Sequence, residues 1–64
     1  RVRYIRLPDL LTLRDEALAE GKGMSKLITK FSNYHLLIID EWLLHDLTEE
    51  DVRFIFELTE KRGL

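Results

Sequence analysis

Leu36-Leu37-Ile38-Ile39-Asp40-Glu41-Trp42 sets four consecutive branched aliphatic residues directly before two acids. An apolar run of this kind, without alternation, is the pattern of a strand covered on both faces, as in the interior of a parallel sheet. In open α/β sheets ligands lie just beyond the carboxyl ends of the strands, so Asp40 and Glu41 are expected at the rim of a site, carried by a rigid element. Two adjacent carboxylates there need a cation, a basic group or a water to activate, because burying them unpaired is costly. Phosphoryl-transfer ATPases use such a pair as the Walker B element: the first acid holds Mg²⁺ and its waters and, in many members, the next orients the attacking water. The same string also arises at strand ends that are merely solvated or that cap a neighbouring helix, and spacing leaves both readings open.

Upstream of this strand, Arg1-Val2-Arg3-Tyr4-Ile5-Arg6-Leu7 is rich in β-branched and aromatic residues with arginines interleaved, and Pro8 stops it. It reads as a strand at a sheet edge. From Pro8 the period becomes helical: Leu7, Leu10, Leu11 and Leu18 share a face, Asp9 suits the positive end of the helix dipole, and Arg14, Asp15, Glu16 and Glu20 are expected to face out. Gly21-Lys22-Gly23 ends that helix, with Gly21 as a left-handed cap. Met24, Leu27, Ile28 and Phe31 then make a one-sided stripe on a second helix, closed by Ser32-Asn33 before a strand expected from Tyr34 to Asp40.

Downstream, Thr48 is a good N-cap, and Glu49, Glu50 and Asp51 crowd a first turn that favours negative charge. Val52, Ile55, Phe56 and Thr59 are expected to form the packing face, widened by Phe54 and Leu58. Lys61 and Arg62 suit the last turn, and Gly63 can close the helix. The order strand, helix, helix, strand, helix predicts an α/β fold, a parallel βαβ unit with a right-handed crossover and one further helix. An interior strand needs two strand neighbours, and this order supplies one. The sheet is therefore expected to be incomplete, with an open edge that invites an oligomer or a partner.

Composition sets the outer limits. A chain of 64 residues is one small unit, and a domain of that size buries only about 60% of the surface its unfolded chain exposes. There is no cysteine to add a disulfide or a thiolate metal site. Ten basic and 12 acidic residues give a net charge of -2, with 45% hydrophobic residues. That balance fits a soluble, cytoplasmic globular segment, not a disordered or nucleic-acid-binding tail. No apolar run approaches the ~18 residues needed to cross a bilayer, and no secretory signal pattern is present.

Gly21-Lys22-Gly23-Met24-Ser25-Lys26 has small residues and a lysine before a helix, but it lacks the Gly-x-x-x-x-Gly-Lys-Ser/Thr spacing and follows a helix where a phosphate loop follows a strand. It reads as a helix-helix turn. Lys22, Lys26 and Lys30 recur every four residues and form either a ridge for DNA phosphates or a solvated polar face opposite the apolar stripe. His35 and His45 flank the acids at a separation that matches no standard ligand spacing. At ~3.3 Å per residue, His35 begins the strand roughly 15 Å from the acids, which argues against a His/Asp metal site. Trp42 is open to a packing role or a contact with DNA or another subunit.

Tyr4-Ile5-Arg6-Leu7-Pro8-Asp9-Leu10-Leu11, then Leu36 to Trp42, then Leu47-Thr48-Glu49-Glu50 followed by Phe56-Glu57-Leu58 together resemble the IstB-like ATP-binding proteins. These are helper ATPases of insertion-sequence transposition, related to the DnaC helicase loaders within the AAA+ P-loop class. The resemblance covers nearly the whole chain and implies a partial P-loop NTPase (AAA+) fold: Arg1 to Leu7 as the second strand, Asp40 ending the third, and between them the extra helical insertion that helps relatives grip DNA. It also implies ATP and Mg²⁺ as cofactors, Asp40 on the metal, Glu41 on the attacking water, Lys22, Lys26 and Lys30 toward DNA, and a transposase or replicative helicase as partner of a homo-oligomer. The family's Walker B often reads Asp-Asp-Trp followed by Gly, whereas this chain has Asp40-Glu41-Trp42-Leu43. The family's P-loop, sensor strand and arginine fingers do not occur within residues 1–64. The expectation is an internal fragment of such a domain that does not by itself bind ATP tightly. The alternative is a non-catalytic α/β interaction module that pairs through its open sheet edge.

Overall fold

The computed structural model describes residues 1–42 and 46–63. Along the chain run β1 (Val2–Arg6), α1 (Leu7–Ala19), α2 (Met24–Ser32), β2 (Leu36–Asp40) and α3 (Glu49–Lys61). The two strands pair in parallel, from Val2 opposite Leu36 to Arg6 opposite Asp40. This is the expected α/β arrangement in the order β-α-α-β-α, consistent with part of a P-loop NTPase sheet. Among the described residues, no helix is long and apolar enough to cross a membrane.

Local chemistry sets the element ends. Pro8 sits in the first turn of α1 with Asp9 beside it, so α1 starts directly where β1 stops. At the other end Gly21 adopts φ +74. Its N–H donates to the Leu18 carbonyl at 3.1 Å and that of Lys22 to the Ala17 carbonyl at 3.0 Å, a Schellman closure that needs the left-handed residue. The N-terminus of α3 is closed by a reciprocal box: Asp51 N–H donates to Thr48 Oγ1 at 3.1 Å, and Thr48 N–H donates to Asp51 Oδ2 at 3.0 Å.

All three helices contribute to one core, built from Ile5, Leu7, Leu10, Leu11, Ile28, Phe31, Phe54 and Leu58. The stripe on α2 falls as expected, with Ile28 and Phe31 buried and Met24 and Leu27 packed at its margin. Several outward and inward assignments are corrected. Arg14 was expected at the surface but is buried, because it follows Leu7, Leu10 and Leu11 on the same face of α1 and meets Asp51 there. Leu18 was expected in the core but is exposed, one turn beyond the reach of that cluster. On α3 the inward residues are Asp51, Phe54 and Leu58, with Ile55 half-buried, whereas Val52 and Phe56 face out. The Arg14–Asp51 pair fixes the rotation of α3 about its axis, and the expected face is turned accordingly.

Near its C-terminus α3 is tied to α2: Arg62 Nη1 donates to the carbonyls of Phe31 and Tyr34, each at 2.9 Å. This satisfies oxygens left without partners where α2 ends. Tyr34, expected to begin the strand, precedes it and stacks at a tilt on Phe31. The strand itself is covered on one face only. Leu37 and Ile39 pack on the core, but Leu36 and Ile38, with Val2 and Tyr4 across from them on β1, remain exposed.

Candidate active site

Parallel pairing brings the carboxyl ends of both strands to the same rim, and the register sets Arg6 opposite Asp40. Side chains alternate along a strand, so Asp40 lies on the face that carries Leu36 and Ile38. Tyr4, opposite Ile38, shares that face and reaches diagonally to the acid. Its hydroxyl donates to Asp40 Oδ2 at 2.6 Å, while the backbone N–H of Glu41 donates to Oδ1 at 2.7 Å. The Tyr4 bond first, and the Glu41 N–H second, hold the Asp40 carboxyl below the usual carboxylate range. The same bond to an anion pushes the Tyr4 phenol up. Asp40 is thus ionised at neutral pH, with both oxygens oriented.

Glu41 departs from the strand abruptly. Its φ of +63° lies in the left-handed region, which an L-residue with a side chain occupies at a cost of roughly 1–2 kcal/mol. Such strain persists where surrounding bonds impose it and is concentrated at functional turns. Here the bonds on either side are the Asp40 contact to Glu41 N–H and a 2.6 Å bond from Trp42 Nε1 to the Ile39 carbonyl. Trp42 thereby folds back against the strand it ends. Its ring joins Leu37, Ile39, Ile55 and Leu58 around a cleft of about 200 Å³, which answers part of the question its sequence left open. Glu41 Oε1 lies 4.0 Å from Arg6 Nη1, and Arg6 Nε donates to Asp9 at 3.2 Å. The rim therefore sets one cation, Arg6, between Asp9 and Glu41, with Asp40 beside Glu41.

The donor set at Asp40 suits Mg²⁺. A carboxylate offers about four acceptor positions, and two of Asp40's are taken by Tyr4 and Glu41, so each oxygen keeps a lone pair. Mg²⁺ is commonly held by one or two carboxylates, with waters and substrate phosphates completing its shell.

The other sequence candidates lie elsewhere. Lys22, Lys26 and Lys30 are exposed along α2 and the turn before it. Lys22 is paired with Glu20 at 3.1 Å, and Lys30 lies 6.0 Å from the centre of the Phe31 ring. Among the described residues, no hydrogen bond or ion pair joins these lysines to Asp40 or Glu41. His35 sits at the opposite end of the sheet, its N–H donating to the Arg1 carbonyl at 2.8 Å. Leu43 and His45 lie outside the described residues. Sequence reading missed Tyr4, Arg6 and Asp9 as members of the rim. The missing signal was the register, since pairing Arg6 with Asp40 would have set Tyr4 within reach of the acid.

A family model described as IstB-like ATP binding protein matches residues 1–63. No curated protein and no solved structure matches the chain.

Proposed function

The chain belongs to the IstB-like ATP-binding family, and from that premise we propose that it supplies the Walker B acids of an ATP-hydrolysing helper of DNA transposition. In this reading Asp40 holds Mg²⁺ through its waters, and Glu41 orients or deprotonates the water that attacks the terminal phosphate. The metal, when bound, neutralises charge developing on the transferred phosphoryl group. The remaining work belongs to side chains: Asp40 stays anionic and oriented, and Glu41 stands one residue beyond it on a turn that leaves the strand. The observation that supports the reading best is the meeting of both acids at the carboxyl end of two paired parallel strands, the ligand-facing rim of such sheets.

The complete protein, in this proposal, is a cytoplasmic homo-oligomer that hydrolyses ATP between subunits. It uses that cycle to assemble on DNA and direct a transposase, or to load a replicative helicase. Lys22, Lys26 and Lys30 are proposed as its phosphate contacts. Replacing all three with alanine is expected to weaken DNA binding and flatten its salt dependence, and an unchanged salt slope removes them from the interface. The test of the chemistry is Glu41→Gln in the complete protein. Retained ATP binding with turnover reduced by about 10²-fold or more is expected, the scale of a lost general base. A fully active variant overturns the role of Glu41.

One observation favours the second reading, a non-catalytic module that pairs through its sheet. Val2, Tyr4, Leu36 and Ile38 present a contiguous apolar face on the strands that carry the acids. Under that reading, alteration of Glu41 leaves function intact while alteration of the open face abolishes association.

A further inference from the structure

We propose that Tyr4 is a positioning residue for Asp40: its hydroxyl fixes the direction of the carboxylate that faces the metal. This inference rests on the reading of Asp40 as the Mg²⁺ acid and extends the site to the neighbouring strand. The bond is 2.6 Å from Oη to Oδ2, in the short range of hydrogen bonds between a hydroxyl and an anion. Asp40 is the last residue of β2, exposed, and followed by a turn, so nothing in its burial selects one rotamer. Two donors do so instead. Glu41 N–H takes Oδ1 and Tyr4 takes Oδ2, and gripping the two oxygens from different partners fixes the plane of the group.

Tyrosine suits this task because it reaches far with only two side-chain torsions. Its ring stands on β1 at the register position opposite Ile38, so the parallel pairing itself measures the distance to Asp40. The arrangement also explains a residue that packing does not: Tyr4 is 55% exposed, yet its polar tip is engaged. Partners of this kind around ligating groups are typically worth about 10–100-fold in metal affinity.

The decisive substitution is Tyr4→Phe, which keeps the ring and any packing it makes and removes only the hydroxyl. The complete protein, in excess over ATP, is titrated with Mn²⁺ as the probe, and free Mn²⁺ is read by electron paramagnetic resonance. Wild type, Tyr4→Phe and Asp40→Asn are compared, and ATP affinity is measured separately without metal. Tyr4→Phe is expected to bind ATP without metal as wild type does but to bind Mn²⁺ about tenfold more weakly, with Asp40→Asn weaker still. Wild-type Mn²⁺ affinity in Tyr4→Phe beside a loss in Asp40→Asn overturns the role of Tyr4 and leaves Asp40 in place. An unchanged Asp40→Asn overturns both. Metal-free ATP affinity that falls in Tyr4→Phe makes its effect structural and also overturns the proposal.

Discussion

Ile5 and Ile38 stand one register step apart on paired strands, yet Ile5 is 5% exposed and Ile38 42%. They belong to the two faces of the same sheet. On one face Ile5, Leu37 and Ile39 meet α1, α2 and α3, and even the charged residues that reach inward are paired. On the other, Val2, Tyr4, Leu36 and Ile38 are exposed, with no helix over them among the described residues. Apolar residues of one sheet thus stand in two different environments. The helix-covered face holds the core, whereas the exposed face and its rim carry Tyr4 and the two acids.

Phe54→Ala is expected to have the largest effect. Phe54 is fully buried at the centre of the core, and removing such a ring costs about 3–5 kcal/mol. A domain of 64 residues has roughly 3–10 kcal/mol of stability in total. Thermal unfolding followed by circular dichroism is therefore expected to show a variant that is largely unfolded or close to it. A variant as stable as the parent would mean that the helix-covered face is not where the fold is held.

Arg14→Met asks whether the ionic part of that face matters as much as the apolar part. Arg14 Nη1 lies 2.6 Å from Asp51 Oδ1, with the two side chains 9% and 6% exposed, and Asp15 takes the guanidinium from the other side at 2.8 Å. Removing the cation takes the guanidinium away from a buried carboxylate 2.6 Å from it, and breaking a buried pair from one side costs about 3–5 kcal/mol. Asp51 also sets a pH dependence. Burial pushes its carboxyl up, but the Thr48 N–H and the Arg14 guanidinium outweigh burial and leave it below the ordinary carboxylate value. A depressed pKa in the folded state contributes stability that is present above the unfolded carboxylate pKa and is lost as pH falls through the folded value. Acid unfolding of the parent is thus expected to extend below the normal carboxylate range. In Arg14→Met the acid limb is expected at higher pH, and coincident acid limbs would show that the pair does not hold Asp51 ionised.

What the sequence made legible follows the same division. Caps and turns were readable because their chemistry is local: Thr48 with the acids behind it, Gly21 after the last turn of α1, and the stripe from Met24 to Phe31. The strand ending at Asp40 was readable from the aliphatic run before it, but that run was expected to be covered on both faces, and Leu36 and Ile38 are exposed. Arg14 was not, since a charged residue on an amphipathic helix is normally sent to solvent, and its partner stands 37 positions away on α3. Tyr4 was hidden for a related reason. Which residue of β1 reaches Asp40 depends on parallel register, and no periodicity within either strand encodes it.

Ile38→Ser is the smallest expected effect and the one that separates the faces most sharply. Ile38 is the same residue type as the core's Ile5 and Ile28, so a count of hydrophobic positions along β2 would give it the same weight as Ile39. Its exposure argues otherwise, because surface substitutions away from caps and buried pairs usually change stability by no more than about 0.5 kcal/mol. Thermal unfolding of Ile38→Ser is therefore expected to match the parent closely, while sedimentation shows less self-association if the open face draws copies together. A loss approaching that of Phe54→Ala would mean that Ile38 is buried in solution. The open face would then be an interface that the folded chain requires, and the division between a face that holds the fold and a face left for the site would fall.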